Sequence, residues 1–375
     1  MILTAPRDAL LRACQVVQQA VNPQVTMPVY RNAKLVPGPT PDAATLMGTD
    51  LEVGIRYDLR GLAIEQPDEV MIPLARLQDI LRESRDETVR LTVDRDRMKV
   101  QTLADEYDLP TEDPSTFADV ANPDGDRYHE LSAADLLRLA RRTAFAADRT
   151  KGRYAMRGVL LDVDGPRCSL VATDGKRIAW ANAPCVTQGP EPDEKKHSHL
   201  VPSKAMKLLQ TILADGDWSQ PVRVFLRPND ALFRTERATV YTRLVEGRFP
   251  PYRDVIPKAV KTKVPLVVGK FLSAVRRASI MTDDEAKRIS CNFAAGKLEL
   301  TAEGPTKGKG VVRGELTDAG IVGPDVEIIF DPAYLTDMLR ALPEDETISL
   351  EMVDGQKVVV FRAGPDYLYA AVPLV

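Results

Sequence analysis

The chain has 375 residues, of which 44% are hydrophobic and 28% charged, and its net charge is −4. That composition belongs to an ordinary globular protein with material for two or three domains. It excludes a helical membrane protein, because no run approaches roughly 18 consecutive apolar residues, and the charge excludes a uniformly basic nucleic-acid binder.

In chain order, the first helical pattern covers Pro6 to Val17, with Leu10, Cys14 and Val17 on one face. A strand signal follows and ends at Thr49-Asp50. Pro73 opens a second helix, with Leu77 and Ile80 at the fourth and seventh following positions, and Val89 to Val93 alternates as a strand. The Pro- and Asp-rich joint Asn122-Pro123-Asp124-Gly125 comes next. Ser132 then caps a third helix through Ala140, a strand ends at Thr173-Asp174, and Pro202 opens a fourth helix carrying Met206 and Leu209. Val222 to Leu226 is the corresponding strand, and Pro250-Pro251-Tyr252 the second joint. A fifth helix runs from Gly269 to Arg277. Thr301-Ala302-Glu303 takes the place of the earlier Thr-Asp pairs, Asp331 opens a sixth helix with Leu335 and Met338, and Ile348 to Met352 is the last alternating strand.

The order repeats. Leu11, Leu137 and Leu272 are separated by 126 and 135 residues, and Pro73, Pro202 and Asp331 by 129 and 129; Thr49-Asp50 and Thr173-Asp174 are 124 apart. Two helix families in register across three units predict an α+β chain of three domains, 1–124, 125–250 and 251–375. Each has two helices packed on antiparallel strands.

Charge follows the same division. The helical stretches, taken as 6–21, 73–85, 132–149, 202–214, 268–281 and 332–342, hold fifteen basic and six acidic side chains, a net of +9. The remainder therefore carries −13. Helices gathered on one surface would give a polyanion a positive face without sequence preference. Solvated helix faces rich in Lys and Arg are the plainer explanation of charge alone.

The remaining signals are negative. Cys14, Cys168, Cys185 and Cys291 show no C-x-x-C spacing and read as packed, reduced thiols. With no basic-then-apolar leader at Met1-Ile2-Leu3-Thr4, a cytoplasmic location is expected. No G-x-x-x-x-G-K-[ST] loop offers nucleotide hydrolysis. His197 and His199 lack a third ligand and read as a surface loop, His129 shows no special context, and Asp283-Asp284-Glu285 reads as a charged turn. Neither a metal site nor a cofactor is expected. A hydrolase using Asp50 or Asp174 with a histidine is a rival reading, as is a protein-only scaffold; the recurrence of both aspartates at equivalent places favours a structural turn.

Two blocks name a family. Arg153 to Leu160 followed by Val171 to Ala179, and Leu244 to Pro257, resemble the DNA polymerase III beta subunit family of bacterial sliding clamps. Gly48 to Val53 and Tyr369 to Val375 agree as well, so the likeness covers essentially the whole chain. It implies a non-catalytic processivity factor: a head-to-tail homodimer closed into a ring round double-stranded DNA, helices inside and sheets outside. The partners it implies are the polymerase III catalytic subunit, the clamp loader and repair proteins, docking through short linear motifs. It implies no membrane association.

By position, the family's peptide pocket falls on Met156, Gly158, Thr173, Gly175, Arg177, Ile178, Pro250, Val255, Val372, Pro373 and Leu374. Its dimer contact falls on Tyr107 and Leu109 against Ile280 and Met281 of a second copy. Its DNA contacts fall on Gln24, Arg76, Arg149, Thr150, Lys151, Arg153, Tyr154 and Ala155. Departures are visible. The family tail commonly ends Met-Pro-Met-Arg-Leu, whereas this one ends Val372-Pro373-Leu374-Val375. Gln24, Ala75 and Ala155 stand where the family has two arginines and a tyrosine, which weakens local DNA contact unless Arg149, Lys151 and Arg153 compensate.

Overall fold

The computed structural model describes residues 1–22, 24–148, 154–190, 199–214, 216, 220–283, 287–317 and 320–374, without the side chains of Tyr154 and Ala155. Among them are six α-helices: α1 (Arg7–Gln18), α2 (Leu74–Glu83), α3 (Ala133–Thr143), α4 (Ser203–Ala214), α5 (Val268–Ser279) and α6 (Pro332–Arg340). All strand pairings described are antiparallel.

Each helix forms for a local reason and buries one stripe. Leu10, Ala13, Cys14 and Val17 are the buried side of α1; Phe271, Leu272, Val275 and Ala278 are that of α5. Ser132 caps α3, its Oγ accepting from the Asp135 amide at 3.0 Å and donating to the Asp135 carboxylate at 2.8 Å. Asp331 caps α6 by accepting from the Ala333 amide at 2.8 Å, with Pro332 in the first turn. The helix expected through Ala140 runs three residues further, while the stretch 132–149 used for the charge count was too long for α3. Its helix stops at Thr143, whose buried hydroxyl bonds back to the Leu139 carbonyl at 2.7 Å, and a 3₁₀ turn (Ala144–Ala146) follows.

The chain divides into two compact units. One combines Met1–Leu137 with Cys185–Leu244, the other Arg138–Pro184 with Val245–Val375. This differs from thirds cut along the sequence because sheets run across the expected boundaries. In the first unit, strand Val53–Arg60 pairs with Ala238–Arg243 in the register Tyr57↔Ala238 to Val53↔Thr242. That pairing lies inside a nine-stranded sheet. In the second unit, Arg177–Pro184 pairs with Tyr367–Ala371 from Arg177↔Ala371 to Ala181↔Tyr367.

These two joints are copies of one arrangement. Each joins the strand after a Thr-Asp turn to the last strand of the following repeat. The counterpart of the first partner in the third repeat is Gly308–Gly314, and the counterpart of the second partner in the first repeat is Glu106–Pro110. Both are edge strands: one closes a four-stranded sheet of the second unit, the other a five-stranded sheet of the first. Thr301, expected to mark a third Thr-Asp-like turn, instead lies mid-strand opposite Val311.

The Thr-Asp turns themselves match bond for bond. Thr49 Oγ1 donates to the Val53 carbonyl (3.0 Å) and accepts from the Leu51 amide (2.9 Å). Thr173 Oγ1 does the same with Arg177 (2.6 Å) and Gly175 (3.0 Å). Asp50 and Asp174 each accept two further turn amides. The turns need a left-handed residue at the third position, supplied by Gly175 (φ +88°) in one and by Leu51 (φ +75°) in the other.

Candidate partner-binding and nucleic-acid interfaces

The residues expected to hold a partner peptide all fall in the second unit, around the Thr173 turn. Arg177 organises it. Its Nε donates to Asp174 at 3.0 Å, one terminal nitrogen to Asp337 on α6 at 2.9 Å, and the other to the Phe145 carbonyl at 3.2 Å. The guanidinium also lies 4.6 Å from the centre of the Tyr334 ring and 5.7 Å from that of Phe145. Burial alone would lower its pKa, but Tyr369, the hydrogen bond to Asp337 and the charges of Asp174 and Asp337 together raise it. Arg177 is 7% exposed with its donors engaged, so it shapes the turn and offers little to a visitor. Thr173, at 3% exposure with its hydroxyl bonded on both sides, is equally occupied.

The C-terminal segment is tied to this turn. The Val372 amide donates to the Lys176 carbonyl at 2.9 Å and the Leu374 amide to the Ile329 carbonyl at 2.8 Å. Val372 is exposed, Leu374 half-buried and Pro373 buried. Met156 lies over Gly175, its Sδ and Cε at 3.8 Å from where a Cβ would stand. Ile178 follows Arg177 on the same strand and therefore points to the other sheet face. There it packs with Trp180, Ile256 and Val358 against Val360, Leu368 and Ala370. Val255, beside Ile256, is exposed, Pro250 is half-buried and Gly158 is buried. The expected lining thus splits into an accessible set, Met156, Gly175, Ile178, Pro250, Val255, Val372 and Leu374, and a supporting set.

The expected dimer residues sit at the two edge strands. Tyr107 (37% exposed) and half-buried Leu109 pair with Val100 and Met98 and share their face. Ile280 (68% exposed) follows the end of α5, and the Met281 side chain occupies the space over Gly310, a position where a Cβ would meet its Cγ at 2.7 Å.

Of the expected DNA contacts, Gln24 is exposed in a turn and Arg76 is exposed on the first turn of α2. Tyr154 and Ala155 begin a 3₁₀ turn (Tyr154–Arg157). Arg149, Thr150, Lys151 and Arg153 lie outside the described residues, as does His197. Counting helix charge overstated the free cations. Arg142 is buried (8% exposed) and bound to Glu346 at 2.7 Å, Lys270 pairs with Glu315 at 2.6 Å, and Lys204 pairs with Asp50.

Asp50 and Asp174 therefore spend their carboxylates on turn amides and neighbouring cations, which removes the hydrolase reading's nucleophile or base. Two further expectations need correction. His199 belongs to a strand (His199–Pro202), not a surface loop. His129 is buried, hydrogen-bonded to Thr187 Oγ1 at 2.9 Å, and its pKa is lowered to about 4, first by burial and then by Arg127 and His199. Asp283 holds a turn by accepting from the Thr306 hydroxyl at 2.6 Å. Among the described residues no cluster of three or more His, Cys, Asp or Glu could hold a metal, and no helix is long and apolar enough to cross a membrane.

Comparison with known proteins agrees with this layout. Three family models match in succession: the DNA polymerase III beta subunit N-terminal domain over residues 1–120, its central domain over 130–251 and its C-terminal domain over 253–373. The chain belongs to the DNA polymerase III beta-subunit family. It is 28% identical over 379 residues to the beta sliding clamp of Pseudomonas putida and 26% identical to that of Escherichia coli K12, with the whole of both chains covered in each case. Among solved structures it superposes on the DNA polymerase III subunit beta of Pseudomonas aeruginosa with a TM-score of 0.85 at 26% identity, covering 100% of both chains. The Bacillus subtilis DNA polymerase sliding clamp gives a TM-score of 0.89 at 22% identity, over 100% of this chain and 99% of that one, a likeness of fold. The family is one of processivity subunits rather than catalysts, and this chain functions as a sliding clamp of DNA replication.

Proposed function

We propose that two copies of this chain close head to tail into a ring that encircles duplex DNA without sequence preference and tethers polymerase III and other DNA-processing proteins in the cytoplasm. In this reading the repeat units are 1–124, 125–250 and 251–375. The observation that carries it is the strand joint. It occurs twice within the chain, and its two unused halves are left as bare edges, Glu106–Pro110 and Gly308–Gly314. An unpaired edge is a template for another strand, and unlike halves give a heterologous contact that must close on itself or run on as a filament.

The chemistry of the edges favours their union. Glu106 and Asp108 stand on one outer face, held below the usual carboxylate range by hydrogen bonds from Lys99 and Arg97 respectively. The other edge presents Lys309 and Arg313, with Glu303 and Glu299 opposite them on the next strand. A joined sheet would alternate cation and anion across the seam, with Tyr107 and Leu109 meeting Ile280 and Met281 on its other face.

We assign the peptide-docking role to the accessible surface round Gly175 and Val372, where exposed apolar side chains such as Val372 and Val255 could receive a short Leu- or Phe-bearing segment. Gln24, Arg76 and the 149–155 segment, with the exposed helix cations, are assigned to DNA. The test is topological. Retention on nicked circular DNA, with release once that DNA is linearised, is the expected result; retention on both forms, or on neither, refutes encirclement.

A further inference from the structure

The sheet face at the strand joint of the first unit holds a cluster that clamp function leaves unused. Register places Arg56 opposite Thr239, Thr239 opposite Arg234, and Arg234 opposite Arg223, on four successive strands. Directly opposed residues share a face, so three guanidinium stems rise in one row. Arg234 and Arg223 face one another, where like charges repel. The row borders an open pocket of about 390 Å³, with Asp58 and Phe225 beside it and the Asn122-Pro123 joint along one wall.

The countercharges do not match the cations. Arg234 donates to Asp58 at 2.9 Å and to Thr239 Oγ1 at 2.8 Å, and Arg223 donates to Glu130 at 3.2 Å. Arg56 donates to the Met47 sulfur and the Val120 carbonyl, both at 3.0 Å, and has no carboxylate among the described residues. The joint does not need these arginines. Arg56 lies seven residues after Thr49, and seven residues after Thr173 the second unit has Trp180, packed in the apolar cluster with Ile178 and Leu368. The same architecture stands with opposite surface chemistry. The arginines also contrast with the −13 carried by the chain outside its helices.

We propose that this row docks the carboxylate side chains of a short acidic polypeptide segment on a partner protein. Planar guanidinium forks match carboxylates two bonds at a time. The row crosses three interstrand steps, about 15 Å, which an extended peptide spans with two or three same-side residues at about 7 Å spacing. A long polyanion would run on over acidic surface and be repelled, whereas a short segment interacts within about one Debye length, roughly 8 Å.

The experiment measures anisotropy of fluorescein-labelled hexaglutamate with the full chain at low salt. Expected are binding that Arg56→Gln weakens at least tenfold, that Asp58→Asn tightens a few-fold by freeing Arg234, and that the pair Arg276→Gln and Arg277→Gln leaves unchanged. Unaltered circular dichroism accompanies each variant. Indifference to Arg56→Gln, no tightening by Asp58→Asn, or loss in the α5 variant overturns the proposal. So does inorganic phosphate competing as well as the peptide, which would make this a simple anion site, or oligothymidylate binding more tightly with the same Arg56 dependence, which would make it a nucleic-acid site. None of these outcomes bears on encirclement, because Arg56 has no part in it.

Discussion

Replacing Arg177 with glutamine tests whether charge holds the turn beneath the proposed peptide site. The guanidinium bridges Asp174 and Asp337, and removing one member of a buried ion-paired cluster costs about 3–5 kcal/mol because its partners remain unpaired. The two carboxylate side chains keep 17% and 28% exposure, so water takes part of the load and about 3 kcal/mol is expected. Losing the stacking on Tyr334 and Phe145 adds about 0.5 kcal/mol. In a unit of roughly 180 residues, each kcal/mol moves Tm by about 2–4 °C, which gives a fall of about 7–14 °C. Trp180 fluorescence in a Trp218→Phe background follows this unit in urea. Asp337→Asn alone should cost clearly less, since Asp174 still pairs, and the double variant should recover part of the loss. A loss under about 1 kcal/mol, or equal losses from both single variants, would refute the argument.

Other consequences can be checked directly. His129 has its pKa lowered to about 4 from 6.5, so the fold favours its neutral form; its contribution is complete above about pH 6.5 and is lost as pH falls toward 4. That amounts to a few kcal/mol, and His129→Gln should flatten the urea midpoint over this range. All four cysteines are buried, with burial pushing the thiols of Cys14 and Cys291 up to about 12. Titration with a thiol reagent should find none in the native protein and four in urea; rapid labelling of any one contradicts the burial. Leu51→Gly removes a left-handed leucine and should stabilise the first unit by up to about 1 kcal/mol, the strain relieved being partly offset by unfolded-chain entropy. A destabilised variant would show that the exposed leucine side chain matters more than its φ. Charge reversal at Lys309 and Arg313 should dissociate the dimer in sedimentation, with reassociation when Glu106 and Asp108 are reversed in the same chain; dimers untouched by the first change exclude the proposed seam.

Periodicity carried the helices because each buries a stripe whose spacing is written in the sequence, and Pro73, Pro202 and Asp331 each stand immediately before the first helical residue. Strand-to-strand joints were invisible because nothing local in Val53–Arg60 specifies a partner some 180 residues away. Alternation tells which face is buried, not which chain segment lies alongside. The candidate site was legible only through family resemblance. Nothing in their local sequence announces that Arg177 and Thr173, expected in the lining, are buried at 7% and 3% exposure, since exposure depends on what packs above a residue. His129 illustrates the reverse. Its burial comes from long-range sheet pairing with Val224 and Thr187, which no neighbouring residue announces.

The same distinction governs charge. Sequence counting credits every helical Lys and Arg to a DNA-facing surface, but a cation already paired in the protein releases no counterion when phosphate arrives. Arg142 is buried with Glu346, and Lys204 and Lys270 are paired with Asp50 and Glu315. Exposed cations on or beside the helices with no ion pair among the described residues are Arg76, Arg85, Arg141, Lys207, Arg276, Arg277 and Arg340. Seven phosphate contacts would give a slope of log affinity against log salt of about −6 per chain. Partial engagement, which a freely sliding ring requires, makes it shallower. In the proposed ring these cations would give a weak, distributed hold on phosphate rather than a few tight clamps. Such a hold fits the proposed topological retention, because a ring closed by strand pairing would gain nothing from contacts strong enough to stop it moving.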